Sequence, residues 1–107
     1  MPNALVSGSS GFIGSHLVKK LKEKEWEVVE MDLPWDVTRK EDWEYLIMNK
    51  GIDYIFHLAG HLDKYEENPA FSKYLDINAK SVALMFEVIV ENKLPIKKVI
   101  VASSQSV

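Results

Sequence analysis

The sequence predicts an α/β fold built on a parallel sheet, and two observations support this prediction. Short, almost entirely apolar segments alternate with longer amphipathic segments along the 107 residues, in the order β-α-β-α-β-α-β. A glycine-rich turn joins the first apolar segment to the first amphipathic one. Parallel strands need helical crossovers, and strands covered on both faces are apolar throughout, so this alternation is typical of a helix-covered parallel sheet.

The first third of the chain predicts a strand, a helix and a second strand. Ala4–Ser7 is a short apolar run that ends at a glycine, which indicates a buried strand. Phe12–Lys24 carries apolar residues at helical spacing among lysines, which indicates an amphipathic helix. Glu27–Met31 predicts the second strand, and Asp32 follows it directly.

The middle of the chain predicts a second helix and a third strand. Arg39–Asn49 has a helical pattern, with Thr38 as a candidate N-cap and Gly51 as a candidate stop. The short segment Asp53–His57 then predicts strand 3. A long polar loop, Ala59–Pro69, follows it.

The last third predicts a long helix and a fourth strand. The helix covers Phe71–Asn92, and the strand covers the strongly β-branched segment Lys97–Ala102. Right-handed crossovers predict the spatial strand order 3-2-1-4, with a switch point between strands 1 and 4. The fold class is therefore a Rossmann-type parallel sheet with flanking helices, as an incomplete doubly wound fold.

Composition excludes several classes of protein. The absence of cysteine excludes a disulfide scaffold and a thiolate metal site, and we expect no metal. A net charge of −3 with no dense basic face argues against nucleic acid as a partner. No apolar run is long enough to span a membrane, and the N-terminus does not resemble a signal peptide, so we expect a cytoplasmic protein without membrane contacts. No linker divides residues 1–107.

The segment from Gly8 to Gly14 has the spacing G-x-x-G-x-x-G between a predicted strand and a predicted helix. In this context, Gly8 allows a tight turn, Gly11 leaves room for a pyrophosphate, and Gly14 lets the helix pack closely. No G-K-[ST] follows, which excludes a P-loop NTPase. Free N–H groups at a helix N-terminus bind phosphates, so the candidate cofactor-binding residues here are Gly8, Ser10, Gly11, Phe12, Ile13 and Gly14.

Asp32 closes strand 2, eighteen residues after Gly14. A carboxylate at this position can accept both ribose hydroxyls of an adenosine and repels a 2′-phosphate. The next three residues, Leu33, Pro34 and Trp35, supply no basic group for such a phosphate. We therefore expect NAD rather than NADP as the cofactor. A flavodoxin-like FMN site is a more distant alternative, because Asp32 would have no role in it.

Further segments follow in an order that resembles one family. Asp36-Val37 precedes helix 2, and His57-Leu58-Ala59-Gly60 ends strand 3. With the glycine loop, they are similar to motifs of the extended short-chain dehydrogenase/reductases, in the NAD-dependent sugar epimerase/dehydratase group. The resemblance implies that Asp36 and Val37 contact the adenine. It also implies that the segment containing Leu58, Ala59 and Gly60 passes beneath the phosphates and ribose.

The same resemblance extends into helix 3 and the end of the chain. Asn78 resembles the family's helical asparagine, and it lies on the apolar stripe of its helix, where an amide needs a hydrogen-bond partner. A structural bridge between backbone groups and a direct cofactor contact are both compatible with this position. The serine-rich turn after strand 4 resembles the family's active-site turn, which implies that Ser104 carries the catalytic hydroxyl.

The resemblance implies an NAD-dependent nucleotide-sugar oxidoreductase, of which these residues are the N-terminal part. The family's acid/base pair is Tyr-x-x-x-Lys, and no Tyr here has a Lys four residues on. We therefore expect a chain that binds NAD without catalysing a reaction alone. A non-catalytic NAD(P)-binding sensor on the same fold is the alternative. An apolar edge at strand 4 predicts self-association, as a homo-oligomer or an aggregate.

Overall fold

The computed structural model describes residues 2–32, 34–58 and 71–101, with the backbone alone for 71–78. All seven predicted elements are present, and their ends differ from the prediction by one residue at most. In chain order they are β1 (Asn3–Ser7), α1 (Phe12–Glu23), β2 (Glu27–Met31), α2 (Lys40–Lys50), β3 (Tyr54–His57), α3 (Phe71–Glu91) and β4 (Lys98–Val101).

The four strands form one parallel sheet in the order β2-β1-β3-β4. The predicted α/β class with a parallel, helix-flanked sheet is therefore confirmed. The predicted strand order 3-2-1-4 is wrong, because β3 pairs with β1 and separates it from β4. The switch point consequently lies between β1 and β3, and not between strands 1 and 4.

The two faces of the sheet explain this strand order. Ala4 and Val6 face a small core with Val18 and Leu21 of α1. Leu5, on the opposite face, belongs to a larger core formed with α2 and α3. Since crossovers are right-handed, a helix on one face carries the chain in one direction across the sheet, and a helix on the other face carries it back. Helix α2 therefore returns the chain past β1, and β3 lies on its far side.

The larger core is centred on Trp43 of α2, whose side chain is fully buried. Its indole N–H donates a hydrogen bond to the Val37 carbonyl oxygen at 2.8 Å, so the ring also fixes the loop that precedes α2. Outside this core, Lys40 of α2 forms ion pairs with Glu87 and Glu91 of α3 at 3.4 and 2.8 Å. The larger core consists of Leu5, Met31, Trp43, Leu46, Ile47, Ile52, Ile55, Met85 and Val88.

The two predicted ends of α2 have different outcomes. Gly51 follows the last turn with a φ of +62°, the left-handed conformation that favours glycine, so the predicted stop is confirmed. The predicted N-cap is wrong, because Arg39 occupies the N-cap position and provides no side-chain cap. The Thr38 hydroxyl instead donates to Asp36 Oδ1 at 2.7 Å. Thr38 therefore stabilises the loop before the helix.

Candidate nucleotide-binding site

The predicted site residues gather at the carboxyl ends of β1, β2 and β3. Gly8 follows β1, Asp32 follows β2 and Leu58 follows β3, and these strands are adjacent in the sheet. Helices α1 and α3, which follow β1 and β3, pack on opposite faces of the sheet, and this divergence opens the crevice expected between the two strands. In open α/β sheets, ligands bind at this kind of switch point.

The glycine loop is a tight turn held between β2 and α1. Gly8 has a φ of +71°, where a side chain would be strained, and its N–H donates to the Met31 carbonyl oxygen at 3.2 Å. The Gly11 N–H donates back to the Gly8 carbonyl oxygen at 3.1 Å. Helix α1 then begins at Phe12. The loop therefore turns the chain from strand to helix in a few residues.

Gly14 is required by the packing of α1 on this loop. Its nearest neighbours are backbone atoms, and a Cβ added to Gly14 would lie 2.0 Å from the Gly8 carbonyl oxygen. No real side chain tolerates such a distance, and the obstacle is main chain that cannot turn aside. The predicted close packing at this glycine is therefore present in the structure.

Gly11 has no comparable role within the fold. It is exposed, its φ is −73°, and an added Cβ would lie 3.4 Å from the Gly8 carbonyl oxygen, which the loop can accept. The fold itself therefore does not require glycine at this position. The missing side chain keeps the approach to the α1 N-terminus open, which fits the room that a pyrophosphate needs.

The N-terminus of α1 is electrostatically prepared for an anion. In the described part of the chain, its N-cap, Gly11, makes no side-chain cap, and its first turn holds no acidic residue. The first N–H groups of a helix have no partner within the helix, and the helix dipole adds partial positive charge. These groups can therefore bind a phosphate without displacing a cap.

Phe12 and Ile13 present their backbone, rather than packed side chains, at this helix start. The side chains are 81% and 66% exposed, so neither belongs to a core. The Phe12 ring lies 4.6 Å from the imidazole of His16, one turn further along α1. The His16 Nδ1 atom lies 2.8 Å from the Phe12 carbonyl oxygen and can donate a hydrogen bond to it.

Asp32 is tied to the glycine loop, a contact that the sequence did not indicate. The Ser10 N–H donates to Asp32 Oδ2 at 2.9 Å. The Trp35 N–H donates to the Asp32 carbonyl oxygen at 2.7 Å and closes a turn after β2. The half-buried Asp32 thus holds the loop that follows β1 against the turn that follows β2. Both borders of a nucleotide site would therefore be held by Asp32, one through its carboxylate and the other through its backbone carbonyl.

Asp36 and Val37 lie in a preformed loop before α2. Asp36 Oδ1 accepts the Thr38 N–H at 2.8 Å as well as the Thr38 hydroxyl, and Asp42 Oδ2 accepts the Asp36 N–H at 2.8 Å. The bonds from Thr38 lower the pKa of Asp36, so its carboxyl group is ionised at neutral pH. Asp36 Oδ1 thus stabilises the loop, and the adenine contact of Asp36 and Val37 remains a prediction.

A buried polar cluster lies directly beneath the crevice. Ser7 Oγ lies 2.5 Å from His57 Nδ1, and His57 Nε2 lies 2.8 Å from Ser81 Oγ. The Leu58 N–H donates to Ser7 Oγ at 3.0 Å and to the Ser7 carbonyl oxygen at 3.2 Å. Sequence reasoning placed His57 in a family segment but missed its partners. A usable signal existed, since Ser7 and His57 are polar ends of otherwise apolar strands.

Burial lowers the pKa of His57 to about 4 from its usual 6.5. The ring is 2% exposed, and the edge-on contact with Trp43, at 5.2 Å between ring centroids, surrounds it further with apolar surface. A charged imidazolium is costly in such an environment, so the ring is neutral at physiological pH. A neutral ring accepts a hydrogen bond at one nitrogen and donates at the other, which matches its two serine neighbours.

Several predicted residues lie outside the described residues. Ala59, Gly60 and Ser104 belong to this group. Asn78 lies within the described backbone of α3, but its side chain is not described. The predicted cofactor contacts and the catalytic hydroxyl therefore remain predictions at these four positions.

The described residues contain neither a membrane-spanning helix nor a cluster of metal ligands. No helix among the described residues is long and apolar enough to cross a membrane. Within the same ranges, no group of three or more His, Cys, Asp or Glu side chains could hold a metal ion.

The buried histidine predicts an acid-sensitive free energy of unfolding. Between pH 6.5 and about 4, unfolded His57 binds a proton that the folded chain excludes, so stability is complete above pH 6.5 and falls as the pH drops towards 4. The loss attributable to this ring is about 3 kcal/mol. Urea unfolding at several pH values measures it, and His57→Phe should show a correspondingly shallower pH dependence. Equal slopes for both chains would contradict the assignment.

Comparison with known proteins identifies relatives of this chain. Residues 4–107 match the family described as the NAD dependent epimerase/dehydratase family. A protein of Methanocaldococcus jannaschii, provisionally named as a UDP-glucose 4-epimerase, is 30% identical over an alignment of 118 positions. That alignment covers 94% of this chain and 37% of the relative, so the chain spans little more than a third of the curated protein's length.

Solved structures show the same fold. The UDP-glucose 4-epimerase of Bifidobacterium longum, in complex with NAD+ and UDP, has a TM-score of 0.84 at 24% identity, covering 96% of this chain and 37% of that one. The enzyme of Thermotoga maritima, with UDP-glucose, has a TM-score of 0.83 at 24% identity, covering 95% and 38%. MoeE5, in complex with UDP-glucose and NAD, is 29% identical with a TM-score of 0.75, covering 98% and 37%. With the match over residues 4–107, the chain belongs to the NAD-dependent epimerase/dehydratase family.

Proposed function

We propose that this chain is the NAD-binding part of an oxidoreductase that epimerises or dehydrates a nucleotide sugar. The observation that carries the proposal is the open N-terminus of α1 at the switch point, with Gly11 keeping its approach free and Asp32 tied to the same loop. Membership of the family supports NAD as the cofactor. The solved relatives with NAD and with UDP or UDP-glucose support the nucleotide-sugar class.

The pyrophosphate of NAD would lie at the first turn of α1. The N–H groups of Phe12, Ile13 and Gly14 belong to this turn, and none of them has an acceptor four residues earlier within the helix. The helix dipole favours the negative charge there. A side chain at Gly11 would project from the N-cap position into the space proposed for the pyrophosphate. The absence of a side chain at this residue is therefore the main steric requirement for binding.

The adenosine half would lie beyond Asp32, over the carboxyl end of β2. One carboxylate oxygen accepts the Ser10 N–H, and an ionised carboxylate has lone pairs for further donors, such as two ribose hydroxyls. A 2′-phosphate would meet this negative charge directly. Asp36 and Val37, in the hydrogen-bonded loop before α2, would then border the adenine.

The chemistry of the complete enzyme needs groups beyond those described here. When bound, NAD accepts a hydride from the sugar. Ser104 would hydrogen-bond the oxygen at the reacting carbon and hold it in place. No Tyr in the sequence has a Lys four residues on, so the acid/base pair of the family would come from another part of the enzyme. Isomerase or lyase activity, in the cytoplasm, belongs to that complete protein.

Gly11→Val should abolish NAD binding and preserve the fold. The valine side chain would occupy the approach to the α1 N-terminus, while its Cβ meets only one loop atom, at 3.4 Å. Calorimetric titration with NAD measures the affinity, and far-UV circular dichroism checks the fold. Unchanged affinity in this variant would refute the site.

Gly14→Ala is the matched comparison for Gly11→Val. The added methyl group would collide with the Gly8 carbonyl, so we expect a loss of roughly 1–3 kcal/mol in the free energy of unfolding. Gly11→Val should show little of this loss. If both variants lose equal stability, Gly11 has a structural role that the described packing does not contain.

Asp32→Ala should weaken NAD binding by roughly 10- to 100-fold, because charge-assisted hydrogen bonds to the ribose are lost. The unmodified chain should prefer NAD to NADP, and Asp32→Asn, which keeps an oxygen for the Ser10 N–H, should reduce that preference. Asp53→Ala is the control, since Asp53 also accepts a backbone N–H, from Asn3 at 2.9 Å, but at the opposite edge of the sheet. Equal affinity of the unmodified chain for NAD and NADP would contradict the role of Asp32.

A further inference from the structure

Three polar side chains are buried beneath the crevice, among the apolar residues of the core. Ser7, His57 and Ser81 are 0%, 2% and 1% exposed, at the end of the larger core that lies beneath the crevice. Burying such groups is costly unless they are hydrogen-bonded, and the imidazole contacts both hydroxyls. Three apolar side chains at these positions would need no such partners. The polar cluster therefore has a purpose other than filling space.

The imidazole connects the three elements that border the crevice. His57 ends β3, Ser7 ends β1 and Ser81 lies in α3. A neutral ring needs a donor on one side and an acceptor on the other, so a rotation or shift that misaligns either hydroxyl breaks a buried bond. The edge-on contact with Trp43 of α2 limits the ring further. These contacts fix the relative positions of β1, β3 and α3.

The same cluster is hydrogen-bonded to the main chain that borders the crevice. Ser7 directly precedes Gly8, where the glycine loop begins. Ser7 Oγ accepts the N–H of Leu58, the first residue after β3, at 3.0 Å. On α3, Ser81 lies one helical turn after position 78, so its bond to His57 also fixes how this helix is rotated over the sheet.

We propose that His57 is a positioning residue for the nucleotide site, acting through Ser7 on the mouth of the crevice and through Ser81 on helix α3. The proposal rests on the proposed function, because the quantity that His57 would set is the affinity for NAD. It assigns to the ring nitrogens a role that an apolar ring of equal size cannot fulfil. The side chain itself touches no cofactor atom, because it is enclosed beneath the site.

The first test replaces the ring nitrogens and keeps the ring. His57→Phe retains an aromatic side chain against Trp43 and removes both hydrogen bonds. We expect the dissociation constant for NAD, measured by calorimetry on chains shown by circular dichroism to be folded, to rise about tenfold or more, the effect of losing one or two buried hydrogen bonds. An unchanged dissociation constant overturns the proposal.

Two amide variants separate the two contacts of His57, the Ser7 arm at Nδ1 and the Ser81 arm at Nε2. The amide of His57→Asn reaches the position of Nδ1 and can retain the contact to Ser7, and the longer amide of His57→Gln reaches Nε2 and can retain the contact to Ser81. Because the Ser7 arm borders the crevice, we expect His57→Asn to bind NAD more tightly than either His57→Gln or His57→Phe. Because each amide variant loses one of the two contacts, the comparison between them decides the question even if His57→Phe does not fold. Equal affinities of the two amide variants overturn the proposal.

Ile55→Val is the matched control for destabilisation. Ile55 lies on β3 two residues before His57, is fully buried in the same core, and has no polar group to lose. We expect this variant to unfold more easily and to bind NAD with unchanged affinity. If Ile55→Val weakens NAD binding as much as His57→Phe does, the loss of affinity follows from reduced stability of the core, and the positioning role is overturned. Absence of NAD binding in the unmodified chain is distinguishable from these results and overturns the proposed function together with this inference.

Discussion

The packing of α1 and α2 on opposite faces of the sheet is the constraint on which the site depends. Because both crossovers are right-handed, this arrangement sends β2 to one side of β1 and β3 to the other. The chain therefore leaves β1 and β3 towards opposite faces, and a crevice opens between their carboxyl ends. The glycine loop lies at its mouth because Gly8 follows the last residue of β1.

Some residues around the crevice are required by the fold, and others are explained by the proposed nucleotide site. Gly8 and Gly14 satisfy the fold, one by its positive φ and the other by its contact with a carbonyl oxygen. Gly11 has neither a positive φ nor such a contact, so the fold does not require glycine there. Its missing side chain leaves the N-terminus of α1 accessible, which is the condition that the proposed pyrophosphate site needs. The Asp32 carboxylate accepts the Ser10 N–H, which supports the fold, and Asp32 directly follows β2, where we propose that the ribose binds. Below them, the neutral ring of His57 joins β1 and β3 to α3.

Sequence reasoning identified every element because helical and strand periodicity is a local property. It also identified the stop at Gly51, where left-handed backbone favours one residue type. The strand order failed because periodicity shows that a helix is amphipathic without showing which face of the sheet it covers. The N-cap predicted at Thr38 was wrong because α2 begins one residue later, with Arg39 at the N-cap position, and Thr38 belongs to the preceding loop. The partners of His57 lie 50 and 24 residues away, so the polar strand ends at Ser7 and His57 mark two candidates without showing that they pair.

Chemical-shift mapping of NAD binding on the 107-residue chain tests the central claim most directly. Backbone amide signals are assigned by nuclear magnetic resonance and followed during titration with NAD. The account predicts the largest shifts at Gly11, Phe12 and Ile13, with further shifts at Asp32 and Leu58, and with the amino-terminal edge of the sheet around Asn3 and Asp53 unchanged. Shifts confined to the exposed lysines of α1, or spread evenly over the chain, would contradict a nucleotide site at the switch point between β1 and β3.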